Sequence, residues 1–407
     1  MMKVLKSLVT APFCTASEVV TRPGYHAATC TYAAYDPDLM DTFPLQPDRG
    51  ALVAALRQIW RPWIAFKFAT PEDRGAMLAA IIGALARPGL SDAPGVLMDA
   101  PCPGSGKTIC AAAVGALVLG RRAPVTPFSG VDDTELKKQM IANALDGFDW
   151  LLLDNVVGVY DSAVMAAVLT GGALRDRVLG SSLMFDGEIR LNVFLTSNNA
   201  ALSRDLHRRF IRVRLDTGVE CPQALEFDFN PVDRALVERL AIARAVCVAV
   251  QGFFAGGSPR IGRGDAGFAT WSRLVRDCVL WCQREGLSEE AGIGDLGDPA
   301  HQIIVEAGRS DPSSQALSLL LHGLQECYGH DWFYAREIMG ILACSSAADG
   351  GDYIKEALET LCPARSQLTA RTVGNLLKFR VDTHCDGLVL RMTDGVHKTN
   401  RYCVERG

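Results

Sequence analysis

Long hydrophobic runs are absent from this chain of 407 residues. The apolar stretches Ala76–Ala86 and Ile109–Gly120 fall well short of the roughly 20 residues that a bilayer-spanning helix needs, so no membrane role is expected. Met1 to Thr10 carries two lysines but no sustained apolar core followed by a small-residue cleavage site, which argues against a signal peptide and for a cytoplasmic location. An excess of positive charge is lacking too. Lys and Arg number 41 against 46 Asp and Glu, a net charge of −5, so any contact with nucleic acid has to come from a local patch. Thirteen cysteines include no C-x-x-C pair. Cys278 and Cys282 are four apart and His384 adjoins Cys385, but a zinc site needs four convergent ligands, and the thiols read as reduced and mostly buried. What the chain has in quantity is apolar side chain, 49% of its residues, enough for two to four domains at this length.

The stretch Val96 to Thr108, V-L-M-D-A-P-C-P-G-S-G-K-T, organises the rest. An apolar strand breaks into a loop of small residues, Pro103-Gly104-Ser105-Gly106-Lys107-Thr108, and an Ala- and Val-rich helix follows. A triphosphate must be met by inward-pointing backbone N–H groups, one lysine charge and one hydroxyl able to ligate Mg²⁺, and this loop has all three. Gly104 and Gly106 permit close backbone approach, and the helix N-terminus adds its partial charge. The usual motif opens on a glycine, where this chain has Pro101, which stiffens the mouth of the loop.

Further along, Asp149 to Asn155 (D-W-L-L-L-D-N) is a buried strand that presents Asp154 at its carboxyl end, 47 residues after Lys107. There an acid can hold the water shell of Mg²⁺. Leu183 to Leu191 reads as a hairpin turning at Asp186-Gly187. Leu191 to Asn199 is a third core strand ending in polar residues, and Asp205 to Arg209 closes a short helix before the strand Phe210–Asp216. Helical periodicity also marks Ala51–Trp60, Arg74–Ala86, Arg234–Phe254 and Trp271–Arg284.

The order P-G-S-G-K-T, L-L-L-D-N, L-T-S-N-N, D-L-x-R-R-F-I-x-V-x-L-D over about 120 residues resembles the AAA+ ATPases of the superfamily 3 helicase type. The likeness is to the ATPase half of primase-helicases encoded by phages and integrative elements. It implies an α/β fold with a parallel-sheet P-loop core, a helical lid and a C-terminal winged-helix domain. It also implies ATP and Mg²⁺ as ligands, DNA as a partner and a homo-oligomeric ring, a hexamer by family habit. Residue by residue, Lys107 and Thr108 match the Walker A lysine and hydroxyl, Asp154 the Walker B acid, and Asn198 the sensor that positions the attacking water. Arg209 matches the arginine finger given to a neighbour's ATP, with Arg208 as the alternative. Asn155 stands where a glutamate is common, so Glu135 at a helix start is the candidate general base. Asp36-Pro37-Asp38 has the spacing of a primase metal pair, but its proline removes a ladder donor, so priming would fall to a separate chain or to another part of a larger architecture of which this chain is the ATPase.

The expected domains are an N-terminal region with a helical collar over 1–88, the nucleotide-binding core over 89–218, the helical lid over 219–346 and the winged helix over 347–407. Arg273 or Arg276 would reach phosphate from the lid, and Ala347–Gly351 would be a linker. From Arg365 onward eight Lys and Arg face four acids, a local charge of +4 that fits phosphate contacts. Arg371, Lys378, Arg380, Arg391 and Lys398 are the candidate DNA contacts. Together these features point to an ATP-dependent helicase or translocase. Two other classes fit as well: a loader or regulator that remodels a protein, and a DNA-binding protein assembled by ATP without unwinding.

Overall fold

A computed structural model describes residues 4–130, 132–178, 182–199, 201–219, 228–264, 266–306, 312–343, 349–362, 368–395 and 399–406. The chain forms two compact units, Met1–Val305 and Glu306–Gly407.

Apolar runs set the core of the first unit. Strands β1 (Gly95–Asp99), β2 (Thr126–Pro127), β3 (Trp150–Val156), β4 (Asn192–Ser197) and β5 (Phe210–Arg214) form one sheet in the spatial order β5-β1-β4-β3-β2. Every pairing in it is parallel. Parallel strands are covered on both faces, which is why V-L-M, L-L-L and V-F-L read as unbroken apolar runs and are buried throughout. The register aligns Ser197 with Asp99 and Arg214 with Asp99, so three polar strand ends lie in a row on the carboxyl edge.

Helix α1 (Arg49–Trp60) packs on other helices, while α2 (Pro71–Ala86) and α3 (Lys107–Leu119) pack on the sheet and α4 (Asp133–Leu145) and α5 (Ala163–Leu169) share a core with its strands. A capping box starts α2: Thr70 accepts from the Asp73 N–H while Asp73 accepts from the Thr70 N–H, and Pro71 takes the first helical position. Helix α3 packs closely on the sheet at Gly115, where a Cβ would sit 2.7 Å from the Trp150 ring. Any larger residue there would push the helix off β3.

The periodic stretch Arg234–Phe254 is not one helix. It breaks at Glu238 into α6 (Pro231–Val237) and α7 (Arg239–Ala255). Both pack on α3, and α7 also packs on α1. Half-buried Arg239 donates to Leu117 O (2.7 Å) and Val118 O (3.2 Å) at the C-terminal end of α3, satisfying carbonyls that the helix leaves open. These helices therefore build the core around α3, where a lid over the loop was expected. Arg276 does not reach phosphate either: it is 2% exposed and clamps Asp298 and the Gly264 carbonyl.

The hairpin between β3 and β4 also differs from expectation. Its strands are Ala173–Arg177 and Met184–Glu188, antiparallel, with Arg175 opposite Asp186 and Leu174 opposite Gly187. Asp186-Gly187 thus lies inside a strand, where Asp186 pairs with Arg175 at 3.6 Å, and is not the turn.

The second unit packs α8 (Pro312–Tyr328), α9 (Ala335–Ala343), α10 (Asp349–Leu361) and α11 (Ala370–Lys378) against the antiparallel pair β6 (Leu388–Asp394) and β7 (Asn400–Arg406). Phe333–Tyr334 adds to the far side of β7 and His384–Cys385 to the far side of β6. Residues 312–343, assigned above to a lid, belong to this unit, since Leu320, Leu321 and Leu324 share a core with Ile354, Leu377 and Tyr402. Gly350-Gly351 does not act as a linker. A Cβ on Gly323 would meet Gly350 O at 2.7 Å, so these glycines let α8 and α10 touch backbone to backbone.

One half-buried acid, Asp149, gives the first unit a pH signature. Burial at the amino end of β3 pushes the Asp149 carboxyl up from 3.8 to about 6, against the opposing effects of the Ser7 hydroxyl, Arg87 and Arg190. A raised carboxyl pKa means that the folded state holds the proton more tightly than the unfolded chain. Stability from this group is therefore greatest below about pH 4 and falls as pH rises to about 6. Asp149→Asn should stabilise the protein at pH 7 by up to about 3 kcal/mol, less the attraction that Asp149 offers buried Arg87, and should flatten this part of the pH profile. Thermal melts between pH 4 and 8 measure both; an Asp149→Asn profile parallel to that of the wild type would refute the assignment.

Candidate nucleotide-binding site

The loop 101–106 joins β1 to α3 at the carboxyl edge of the sheet. Gly104 and Gly106 have φ of 77° and 86°, in the region that disfavours other residues. A Cβ at Gly106 would also come within 3.0 Å of the Phe66 ring. No side chain caps the N-terminus of α3, so its first N–H groups point into the loop uncovered by protein side chains.

Helix α3 and strands β3 and β4 deliver side chains to this loop. Lys107 is only 7% exposed, and its Nζ donates to Cys102 O (3.2 Å), Ser105 Oγ (3.1 Å) and Asn198 Oδ1 (2.8 Å). Burial lowers its pKa, while Asp99 and Asp154 pull the other way. Thr108 Oγ1 donates to Asp154 Oδ1 at 2.6 Å, and Thr196 Oγ1 donates to the same oxygen at 2.7 Å. Asn198 Nδ2 lies 3.5 Å from Asn155 Oδ1. Lys107, Thr108, Asp154 and Asn198 therefore meet, because β4 is inserted between β1 and β3.

This donor set fits a Mg²⁺–triphosphate. A lysine with its three donors spent on neutral oxygens has bonds to exchange for phosphate oxygens. A hydroxyl and a carboxylate 2.6 Å apart form a hard oxygen pair of the kind Mg²⁺ accepts.

The structure does not bring every expected residue here. Glu135 is exposed on α4 and pairs with Lys138 at 2.6 Å. Its neighbour Asp133 reaches the next element, accepting from the Ser162 hydroxyl and from the Ala163 N–H at the start of α5. Arg208 and Arg209 lie at the opposite edge of the sheet. Arg209 O accepts from Gly95 N at the amino end of β1, a strand length or about 15 Å from the loop. Both arginines bind Asp205, Arg209 through contacts of 3.0 and 3.2 Å with 18% of its side chain exposed, and Arg208 with 62% exposed.

In the second unit Arg371 and Lys378 are exposed on α11. Arg380 is half-buried. Arg391 differs from expectation: it is ion-paired with Asp382 and Glu405, so its charge is already neutralised. Lys398 lies outside the described residues.

Sequence reasoning missed a second polar layer. Buried Asp99 accepts from Ser197 Oγ (2.9 Å) and the Asn199 N–H (2.8 Å) and is ion-paired with Arg214. Arg214 also donates to Asn199 Oδ1 at 2.9 Å. The only trace of this layer in the sequence is that an acid, a hydroxyl and an arginine each end a core strand.

No protein-family model matches the sequence, and no curated protein matches it. Among solved structures, the chain is similar to one described as the A form apo structure of the NrS-1 C-terminal region. That match has 12% identity over 93% of this chain and 80% of that chain, with a TM-score of 0.41. A second structure of that region, also described as the A form and as spanning residues 305–718, gives 13% identity over 93% of this chain and 80% of that chain, with a TM-score of 0.35. A ligand-bound JCV helicase gives 15% identity over 61% of this chain and 74% of that chain, with a TM-score of 0.26. No helix among the described residues is long and apolar enough to cross a membrane.

Proposed function

We propose that this chain is a Mg²⁺-dependent ATPase of the AAA+, superfamily 3 helicase type that works on DNA as a ring of identical subunits. The observation that carries this reading is the convergence of Lys107 with Asn198 at 2.8 Å and of Thr108 with Asp154 at 2.6 Å beside an uncapped helix N-terminus. Thr108 and Asp154 would hold the Mg²⁺, which when bound neutralises charge on the β- and γ-phosphates. Lys107 exchanges its bond to Asn198 for phosphate oxygen. Asn198, released from the lysine, orients the water that attacks the γ-phosphate. Pro103 to Thr108 cradle the phosphates through backbone N–H groups. Arg209 lies at the opposite edge of the sheet from the loop of its own chain, which supports a role at a neighbour's site within a ring. The exposed hairpin end at Leu183 and Met184 (69% and 53% exposed) would face DNA in the channel, and the second unit would act as a winged helix.

ATP hydrolysis measured together with unwinding of forked DNA tests this reading; absence of hydrolysis in folded protein would end it. One feature supports the alternative of ATP-driven assembly without turnover: Asn155, not an acid, follows Asp154 within β3. That alternative predicts ATP binding and DNA binding with negligible phosphate release.

The tail makes a separate prediction. Arg371→Ala and Lys378→Ala should each weaken duplex binding across sequences and lower the slope of log K against log salt by about 0.9, as loss of one phosphate contact does. Arg391→Ala should leave the slope unchanged, because Asp382 and Glu405 already hold that charge. Anisotropy titrations at several salt concentrations would show this, and an unchanged slope for both α11 variants would remove DNA contact from the second unit.

A further inference from the structure

Building on the ATPase reading, we propose that Arg214 is a positioning residue that sets the aim of Asn198. Asn198 and Asn199 form the turn leaving β4, and Asn199 holds a left-handed φ of 56°, a conformation that costs a side-chain-bearing residue free energy unless local bonds support it. Two bonds support it here. Its N–H is fixed by Asp99 at 2.8 Å and its side-chain oxygen by Arg214 at 2.9 Å. Asp99 is 3% exposed and is itself ion-paired with Arg214, so one guanidinium ties together the ends of β1, β4 and β5. The same residue is anchored from behind. The Arg214 N–H donates to Asp73 Oδ1 at 2.8 Å and Arg214 O accepts from Ala69 N at 3.0 Å.

Asn198 is the next residue back along this pinned turn, and its Oδ1 sits 2.8 Å from Lys107 Nζ. Loosening the turn would leave the loop and its phosphate contacts in place but would let Asn198 wander from the line of attack. Misplacement of an orienting group by about 1 Å costs on the order of 100-fold in rate. Arg214 thus acts on turnover through Asn199 and Asn198, without touching the nucleotide.

Arg214→Lys is the informative change, since it keeps a positive charge beside Asp99 but cannot bridge to Asn199 with a planar fork. Asn199→Ala removes the same bond from the other side. For each variant, kcat, the dissociation constant for a non-hydrolysable ATP analogue and the melting temperature are measured beside the wild type. The expected result is a fall in kcat of about 10- to 100-fold with analogue affinity within about threefold of wild type. The double variant should be no worse than the worse single one, because both remove one interaction. Unchanged kcat in folded Arg214→Lys, or affinity lost in step with kcat, or losses that multiply in the double variant would each overturn the inference. If Arg214→Lys does not fold, Asn199→Ala decides alone by its kcat. Wild-type protein without turnover overturns the ATPase reading and this inference with it, whereas wild-type turnover with unaffected variants overturns this inference only.

Discussion

If the chain hydrolyses ATP as proposed, Lys107→Ala is expected to cut turnover by about 1,000-fold or more in a protein that stays folded. Removing one preorganised donor from a developing oxyanion typically costs about 100- to 1,000-fold, and Lys107 carries a full charge as well as its donors. The fold tolerates the loss because burial already penalises this ammonium and lowers its pKa, so its removal also relieves a desolvation cost. The oxygens left behind, on Cys102, Ser105 and Asn198, border a loop whose Pro103 and Gly104 are exposed, and water can replace the amine. Phosphate release and a thermal melt on the same preparation check the prediction. Turnover at the wild-type rate in folded Lys107→Ala would exclude this loop as the hydrolytic site.

Arg209→Ala should bind nucleotide nearly as well as the wild type yet hydrolyse it about 10³- to 10⁵-fold more slowly, the usual contribution of an arginine finger. The separation of about 15 Å between Arg209 and the loop of its own chain is the reason for both halves of that statement. A group that meets only the neighbour's transition state cannot contribute to ground-state binding in its own subunit. Local damage should be small, since Asp205 keeps Arg208 as a partner when Arg209 is removed. Mixing Arg209→Ala with Lys107→Ala should restore part of the activity, because some interfaces then join an intact finger to an intact loop. Arg208→Ala serves as the control: a larger loss there than at Arg209 would move the finger to the more exposed arginine. If mixed assemblies form but recover nothing, neither arginine acts between subunits.

Much of the core was legible in one dimension. Unbroken apolar runs ending in a single polar residue marked β1, β3 and β4, because strands covered on both faces leave their ends as the only place for polar chemistry. Glycines at loop positions 104 and 106, where φ is positive, similarly follow from local backbone physics. The hairpin was misplaced for an equally local reason: Asp-Gly favours a tight turn, but pairing Asp186 with Arg175 and Gly187 with Leu174 put that dipeptide in a strand. Gly350-Gly351 misled in the same way, since a glycine pair can mark a flexible joint or a close helix crossing, and only the neighbour at Gly323 distinguishes them.

By itself, the order of residues determined which side chains could serve a triphosphate: one lysine, one hydroxyl, one strand-end acid and one strand-end asparagine, each at the close of its own local motif. Tertiary structure decided which of them meet. Inserting β4 between β1 and β3 brought Asn198 to Lys107 across 91 positions of chain. The outward face of α4 sent Glu135 to Lys138. The direction of β5 put Arg209 at the amino edge while carrying Arg214 to the carboxyl edge beside Asp99 and Asn199. Motifs report what a short segment can do with its own backbone. Contacts between strand ends depend on sheet order and strand direction, which no short segment contains.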